Sequence, residues 1–197
     1  MSSGGTDKKT LRHTLRRRLR SLDPQTRQQA SVEAARHLTG TDLFARARVI
    51  MVFLPLSDEI DARPVVRTAL EAGKTVAVPR VTQERGRMRP VEVRSLDEPM
   101  DVDAHGVASP RRGQELVLAT IDLVVVPGLG FDRGGGRLGR GAGYYDRFLA
   151  DPRLAATSCG LAFETQLVPE LPQEDHDIRV DMLVTDQGVR DLRPTRP

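Results

Sequence analysis

Only one cysteine, Cys159, occurs in the 197 residues. It has no partner within the chain for a disulfide and fits a reducing compartment, where a thiol is core filler or a reactive group. The surrounding SCGLAF holds no cation to lower a thiol pKa, so core filler is the expected role. No apolar run approaches the roughly 20 residues of a membrane span, and the N-terminus lacks the hydrophobic centre of a secretory signal. A soluble cytoplasmic protein that avoids membranes is expected, with an organellar presequence as the rival reading of the arginine-rich KKTLRHTLRRRLR start. The four histidines, His13, His37, His105 and His176, are scattered, so the His176-Asp177 pair lacks a second cluster with which to build a metal phosphohydrolase site. Aromatic residues make up 4% of the chain, and none interleave the Arg16 to Arg18 run. That run reads as a solvated helix face, and nucleic acid is not an expected partner. A strong charge of either sign is missing too: 30 Lys and Arg face 27 Asp and Glu, a net +3, which favours small anionic partners.

What is present is enough for one core, so a single domain over 1–197 is expected, with residues 1–7 disordered and 190–197 a tail. Leu11, Leu15, Leu19 and Leu22 make one apolar stripe of an amphipathic helix whose other faces are arginine-rich. A second helix follows, with Asp23 as N-cap, Pro24 in its first turn and Gly40 as its stop. RVIMVFLPL is a strand covered on both faces, Pro64 starts a helix that stops at Gly73, and TVAVPRV is the next strand. MRPVEVRS alternates as a half-exposed strand, and Leu96 to Gln114 reads as a surface loop. IDLVVVPGL, TSCGLAF and IRVDMLVTD supply further strands, with a helix at GYYDRFLAD. Helices alternating with apolar strands predict an α/β fold: an open, mostly parallel sheet with helices on both faces, a Rossmann-like three-layer sandwich. Ligands bind such sheets at the carboxyl ends of strands, which selects Leu54 to Glu59, Gly128 to Asp146 and Asp181 to Asp186.

Eight of the seventeen glycines fall between Gly128 and Gly143. GGGRLG, Gly134 to Gly139, satisfies the dinucleotide pattern G-x-G-x-x-G, but it does not begin at a strand end, and Cys159, inside a strand, stands where an acidic residue is needed. GKT at Gly73 to Thr75 lacks the earlier glycine of a phosphate-binding loop, since Thr68 occupies that place. The cluster instead reads as a nest: bare backbone approaches a ligand closely and turns N–H groups toward an anion, with phosphate the natural guest. Arg137 and Arg140 add charge-assisted donors, and the stretch leads into a helix N-terminus. Asp146 and Asp181 are expected at neighbouring strand ends, where two carboxylates hold Mg²⁺ together with phosphate oxygens and water. Glu59 faces the same cleft and suits a ring bearing N–H donors.

These segments together resemble the 5-formyltetrahydrofolate cyclo-ligase family, also called 5,10-methenyltetrahydrofolate synthetases. The resemblance rests on KKTLR, FLPLSDEID, PGLGFDRGGGRLGRGAGYYDR and VPELPQEDHDIRVDMLVTD, in that order from Lys8 to Asp186. It implies an ATP- and Mg²⁺-dependent closure of 5-formyltetrahydrofolate to 5,10-methenyltetrahydrofolate by a monomeric enzyme, through a phosphorylated formyl intermediate. It implies ATP contacts from Lys8, Lys9, Arg12, Arg137, Gly139, Gly141, Gly143 and Asp146. Folate contacts would come from Leu54, Glu59, Arg140, Gly141, Ala142, Gly143 and Tyr144, with Glu59 on the pterin. Arg137, Lys8 and Tyr144 would be catalytic, and Asp146 and Asp181 would bind the metal. Ala142 stands where some relatives carry a basic residue and others a glycine, so any contact from such a basic side chain is absent here. The alternative is a non-catalytic relative that binds a folate, a nucleotide or RNA, against which the intact set of Arg137, Tyr144, Asp146, Glu59 and Asp181 argues.

Overall fold

In the computed structural model, which describes residues 7–82, 84 and 86–193, the N-terminal apolar stripe forms helix α1, Lys8–Arg20. Asp7 caps it by accepting from the Thr10 N–H, so the expected disorder does not reach Asp7, and residues 1–6 lie outside the described residues. Helix α2, Pro24–Thr39, is capped by Asp23 and closed by Gly40 as its sequence predicts. The short α3, Asp42–Arg46, was not legible; Thr41 nucleates it by accepting from the Phe44 N–H. Strand β1, Val49–Val52, leads into α4, Arg63–Glu71, then β2, Thr75–Val81, and β3, Met88–Val93.

The expected loop from Leu96 to Gln114 instead contains a small hairpin, β4, Met100–Val102, paired with β5, Ala108–Pro110. It is too polar and too short for a strand pattern to show in the sequence. Strand β6, Leu123–Val126, precedes β7, Gly130–Asp132, and β8, Arg137–Leu138, a tight hairpin within the glycine-rich stretch. Helix α5, Tyr144–Leu149, strand β9, Thr157–Leu161, β10, Leu167–Val168, β11, Met182–Thr185, and β12, Gly188–Asp191, complete the chain. Because β12 pairs antiparallel with β11, residues 190 and 191 belong to the sheet and not to a tail; residues 194–197 lie outside the described residues.

The main sheet has the order β12-β11-β9-β6-β1-β2-β3, with parallel pairing from β11 to β2 and an antiparallel strand at each edge. Side-chain alternation divides the core. Ile50, Val52, Leu123, Val125, Cys159 and Val184 face the cluster built by α1 to α4, whereas Met51, Val124, Val126 and Leu183 face Phe131 and Phe148. Both faces are covered, as predicted, but unequally: among the described residues α5 is the α-helix whose apolar residues join the second cluster. Cys159 is wholly buried, and burial, with Asp181 nearby, pushes its thiol pKa up, in keeping with core filler.

Candidate active site

The carboxyl ends of β1, β2 and β6 open into a cavity of about 670 Å³, a size suited to small-molecule ligands. Phe53, Leu56 and Glu59 enter from the segment after β1, Pro79 and Val81 from β2, and Gly128 and Arg137 to Gly143 from the glycine-rich stretch. Lys8, Lys9 and Arg12 reach in from α1, and Tyr144, Tyr145 and Asp146 from the start of α5. The glycine loop is pinned to α1 by Arg12, whose Nε donates to the Gly139 carbonyl at 2.9 Å. Gly141 and Gly143 have φ of 110° and 69°, a turn that side chains resist, and Gly143 starts α5 without a side-chain cap.

Every cation for which an ion pair is formed here leans on an acid. Lys8 Nζ lies 2.5 Å from Asp177 Oδ2 and 3.3 Å from Glu174 Oε1. Burial alone would raise the Asp177 pKa, but Lys8 and the Glu174 N–H hold it below the usual carboxylate value. Arg140 donates to Glu59 Oε1 at 3.0 Å and also binds Asp58, and these two carboxylates raise its pKa despite burial. Glu59 Oε2 accepts the Leu56 N–H at 3.0 Å, which sets its side chain on the cavity wall. Arg137 pairs with Asp146 Oδ1 at 2.6 Å, their side chains 4% and 15% exposed, and the guanidinium carbon lies 5.7 Å from the Tyr145 ring centroid. Two polar atoms on this wall are buried without a hydrogen-bond partner: Arg137 Nε and the Tyr145 hydroxyl.

Most expected site residues therefore meet at one place. Two do not. Leu54 packs against the apolar cluster under α1 to α4, continuing the strand's buried face, and Leu56 lines the cavity in its stead. Asp181 precedes β11 at its amino end, where Oδ2 accepts from the Ser158 N–H and hydroxyl at 2.7 Å each. Strand direction was the missing information: β9 and β11 run parallel, so Asp181 is at the start of its strand while the cavity lies beyond strand ends. The expected pairing of Asp146 with Asp181 around one ion is not formed. Asp186, at the other end of β11, caps Glu164 by accepting its N–H at 2.7 Å. The site also includes residues that the motifs did not single out: Leu56, Tyr145, and His105 and Val107 from the β4–β5 hairpin. The His105 ring meets the Tyr144 ring edge-on at 5.9 Å.

Residues 5–186 match the model of the 5-formyltetrahydrofolate cyclo-ligase family. The chain belongs to that family. Among its curated members, 5-formyltetrahydrofolate cyclo-ligase of Mus musculus is 31% identical, with 88% of this chain and 91% of the mouse protein covered. The Escherichia coli K12 protein of the same name is 30% identical, covering 89% and 98%. The NMR structure of Aquifex aeolicus 5,10-methenyltetrahydrofolate synthetase superposes with a TM-score of 0.84 at 31% identity, over 96% of this chain and 95% of that one. The cyclo-ligase fold is thus the α/β sheet described above. Among the described residues, no helix is long and apolar enough to cross a membrane.

Proposed function

We propose that this protein closes 5-formyltetrahydrofolate to 5,10-methenyltetrahydrofolate, using ATP and releasing ADP and phosphate. The observation that carries the reading is the pair of buried, unpartnered groups at Arg137 Nε and Tyr145. A buried polar group left unpaired costs about 1–3 kcal/mol, so a wall that keeps two of them is shaped for a ligand rich in acceptor oxygens. A phosphoryl group meets that description, and Lys8, Lys9 and Arg12 on the same cavity supply further positive charge.

In this reading the nucleotide phosphates lie along Lys8, Lys9, Arg12, Arg137 and the N–H groups near Gly139, Gly141 and Gly143. The folate lies toward Glu59 and Arg140, with Tyr144 and Ala142 beside it. The formyl oxygen attacks the γ-phosphorus as the bond to ADP breaks, and N10 then attacks the formyl carbon, expelling phosphate as N10 loses its proton. The chain needs no nucleophile of its own; it holds two substrates in line and offsets the charge of the group in flight. Mg²⁺ would neutralise phosphate charge at Asp146, whose Oδ2 takes no hydrogen bond from the described residues, with phosphate oxygens and water completing the shell. Asp181, committed to Ser158, is left out of that role. All these groups belong to one chain, so a monomer suffices, and the single buried thiol suits a reducing compartment such as the cytoplasm.

The test is near-ultraviolet absorbance of protein mixed with 5-formyltetrahydrofolate and Mg-ATP, omitting ATP and Mg²⁺ in turn. A methenyl chromophore should grow only in the complete mixture; a flat trace from folded protein refutes the reading. Within the same assay, Glu59→Gln should raise KM for the folate about tenfold and leave KM for ATP near that of the wild type, because a charge-assisted bond to the pterin is weakened. Equal effects on both substrates would move Glu59 out of the folate site.

A further inference from the structure

The resemblance points to Tyr144, but the neighbouring Tyr145 has the more telling surroundings. Tyr145 lines the cavity, its hydroxyl oxygen is buried, and no group among the described residues bonds to it. Its ring lies under the Arg137 guanidinium, whose Nε is likewise buried and unpartnered and whose Nη2 is anchored 2.6 Å from Asp146. Glu59, which stands on the folate side in the proposed reading, lines the same cavity. The phenol carries an O–H that can donate, and in this buried place it has no group among the described residues to give its hydrogen to.

A donor that is dry, fixed and unused in the free protein is ready to meet charge as it develops, without having to give up another bond first. We propose that Tyr145 is a catalytic residue: its O–H, together with the Arg137 Nε–H, donates to non-bridging oxygens of the phosphoryl group in flight between nucleotide and folate. The assignment rests on the cyclisation reading above. Tyr145 keeps its proton and forms no covalent bond. In the first step the oxygen–phosphorus bond to the formyl group forms as the bond to ADP breaks. In the second, N10 bonds to the formyl carbon and gives up its proton as the carbon–oxygen bond breaks and its electron pair leaves with phosphate. The same phosphoryl oxygens carry charge in both steps, so one pair of donors serves both.

Tyr145→Phe tests this, since it deletes the hydroxyl and keeps the ring under Arg137. The expected result is a fall in kcat of about a hundredfold, the usual consequence of losing one preorganised donor, with KM for ATP and for the folate within about threefold. The ligand-free variant should melt at or above the wild-type temperature, because the substitution removes a buried group that had no partner. A wild-type kcat overturns the assignment. So does a lower melting temperature, which would mean that the hydroxyl is bonded in the free protein and serves the fold. If the wild-type protein itself forms no methenyl product, the function reading falls and this assignment with it. If the wild type turns over and Tyr145→Phe matches it, only Tyr145 loses its role.

Discussion

Arg137→Ala should lower turnover by about a hundred- to a thousandfold, the range seen when a single preorganised donor to developing charge is removed. It should also destabilise the protein, because Asp146, only 15% exposed, would lose the guanidinium 2.6 Å away and remain as a poorly solvated charge. Breaking a buried pair from one side costs about 3–5 kcal/mol. The two consequences are separable. An Arg137→Met, Asp146→Leu double variant removes both charges and fills the space, so stability should return toward that of the wild type while activity stays lost. Thermal melts and the absorbance assay read the two effects independently. Near-normal turnover in Arg137→Ala would remove Arg137 from the phosphoryl site, and a double variant as unstable as the single one would show that the unpaired carboxylate is not the source of the loss.

The second large effect is expected at Asp132, a residue 7% exposed at the end of β7 and away from the cavity. Its Oδ1 accepts the N–H groups of Gly134 and Gly136 at 2.9 and 2.8 Å, and its Oδ2 accepts the Leu171 N–H at 3.1 Å. One carboxylate thus folds the turn between β7 and β8 and ties it to the chain that runs toward Asp177. A Cβ on Gly136 would sit 2.4 Å from Asp132 Oδ2, so the glycine there is what lets the carboxylate approach the backbone. Asp132→Ala leaves these donors without their acceptor, at about 1–3 kcal/mol for each one that water cannot reach. For a chain of this length that corresponds to a melting temperature lower by about 10 °C or more. Turnover should fall as well, since Arg137 opens β8 directly after this turn. A melting temperature within about 3 °C of the wild type would show that the turn holds itself together without the carboxylate.

Local signals were legible where a short-range physical rule acts alone. The Asp23, Pro24 and Gly40 signals bracket α2 because capping and proline geometry are decided within one turn. The leucine stripe of α1 and the apolar runs of β1, β6, β9 and β11 follow from periodicity and burial. Glycine density marked a stretch where helix, loop and strand ends converge on one cavity. The β4–β5 hairpin escaped notice because its six paired residues, among them an aspartate, a serine and a proline, carry no strand pattern, although the hairpin brings His105 and Val107 to the cavity.

By itself, then, the sequence determined the α/β class, the glycine-lined cavity wall and the family, all properties written in residue types and short spacings. Tertiary structure decided which charges face one another. Lys8 and Asp177 are 169 positions apart and Arg140 and Glu59 are 81 apart, and no local rule pairs them. It also decided that Asp181 lies at the amino end of its strand, bound to Ser158, because which end of a strand faces the ligand depends on how the whole sheet is threaded. And it set apart the surroundings of two adjacent tyrosines, since neighbouring side chains on a helix point about 100° apart and only packing determines that the Tyr145 hydroxyl is buried without a partner while the Tyr144 ring meets His105.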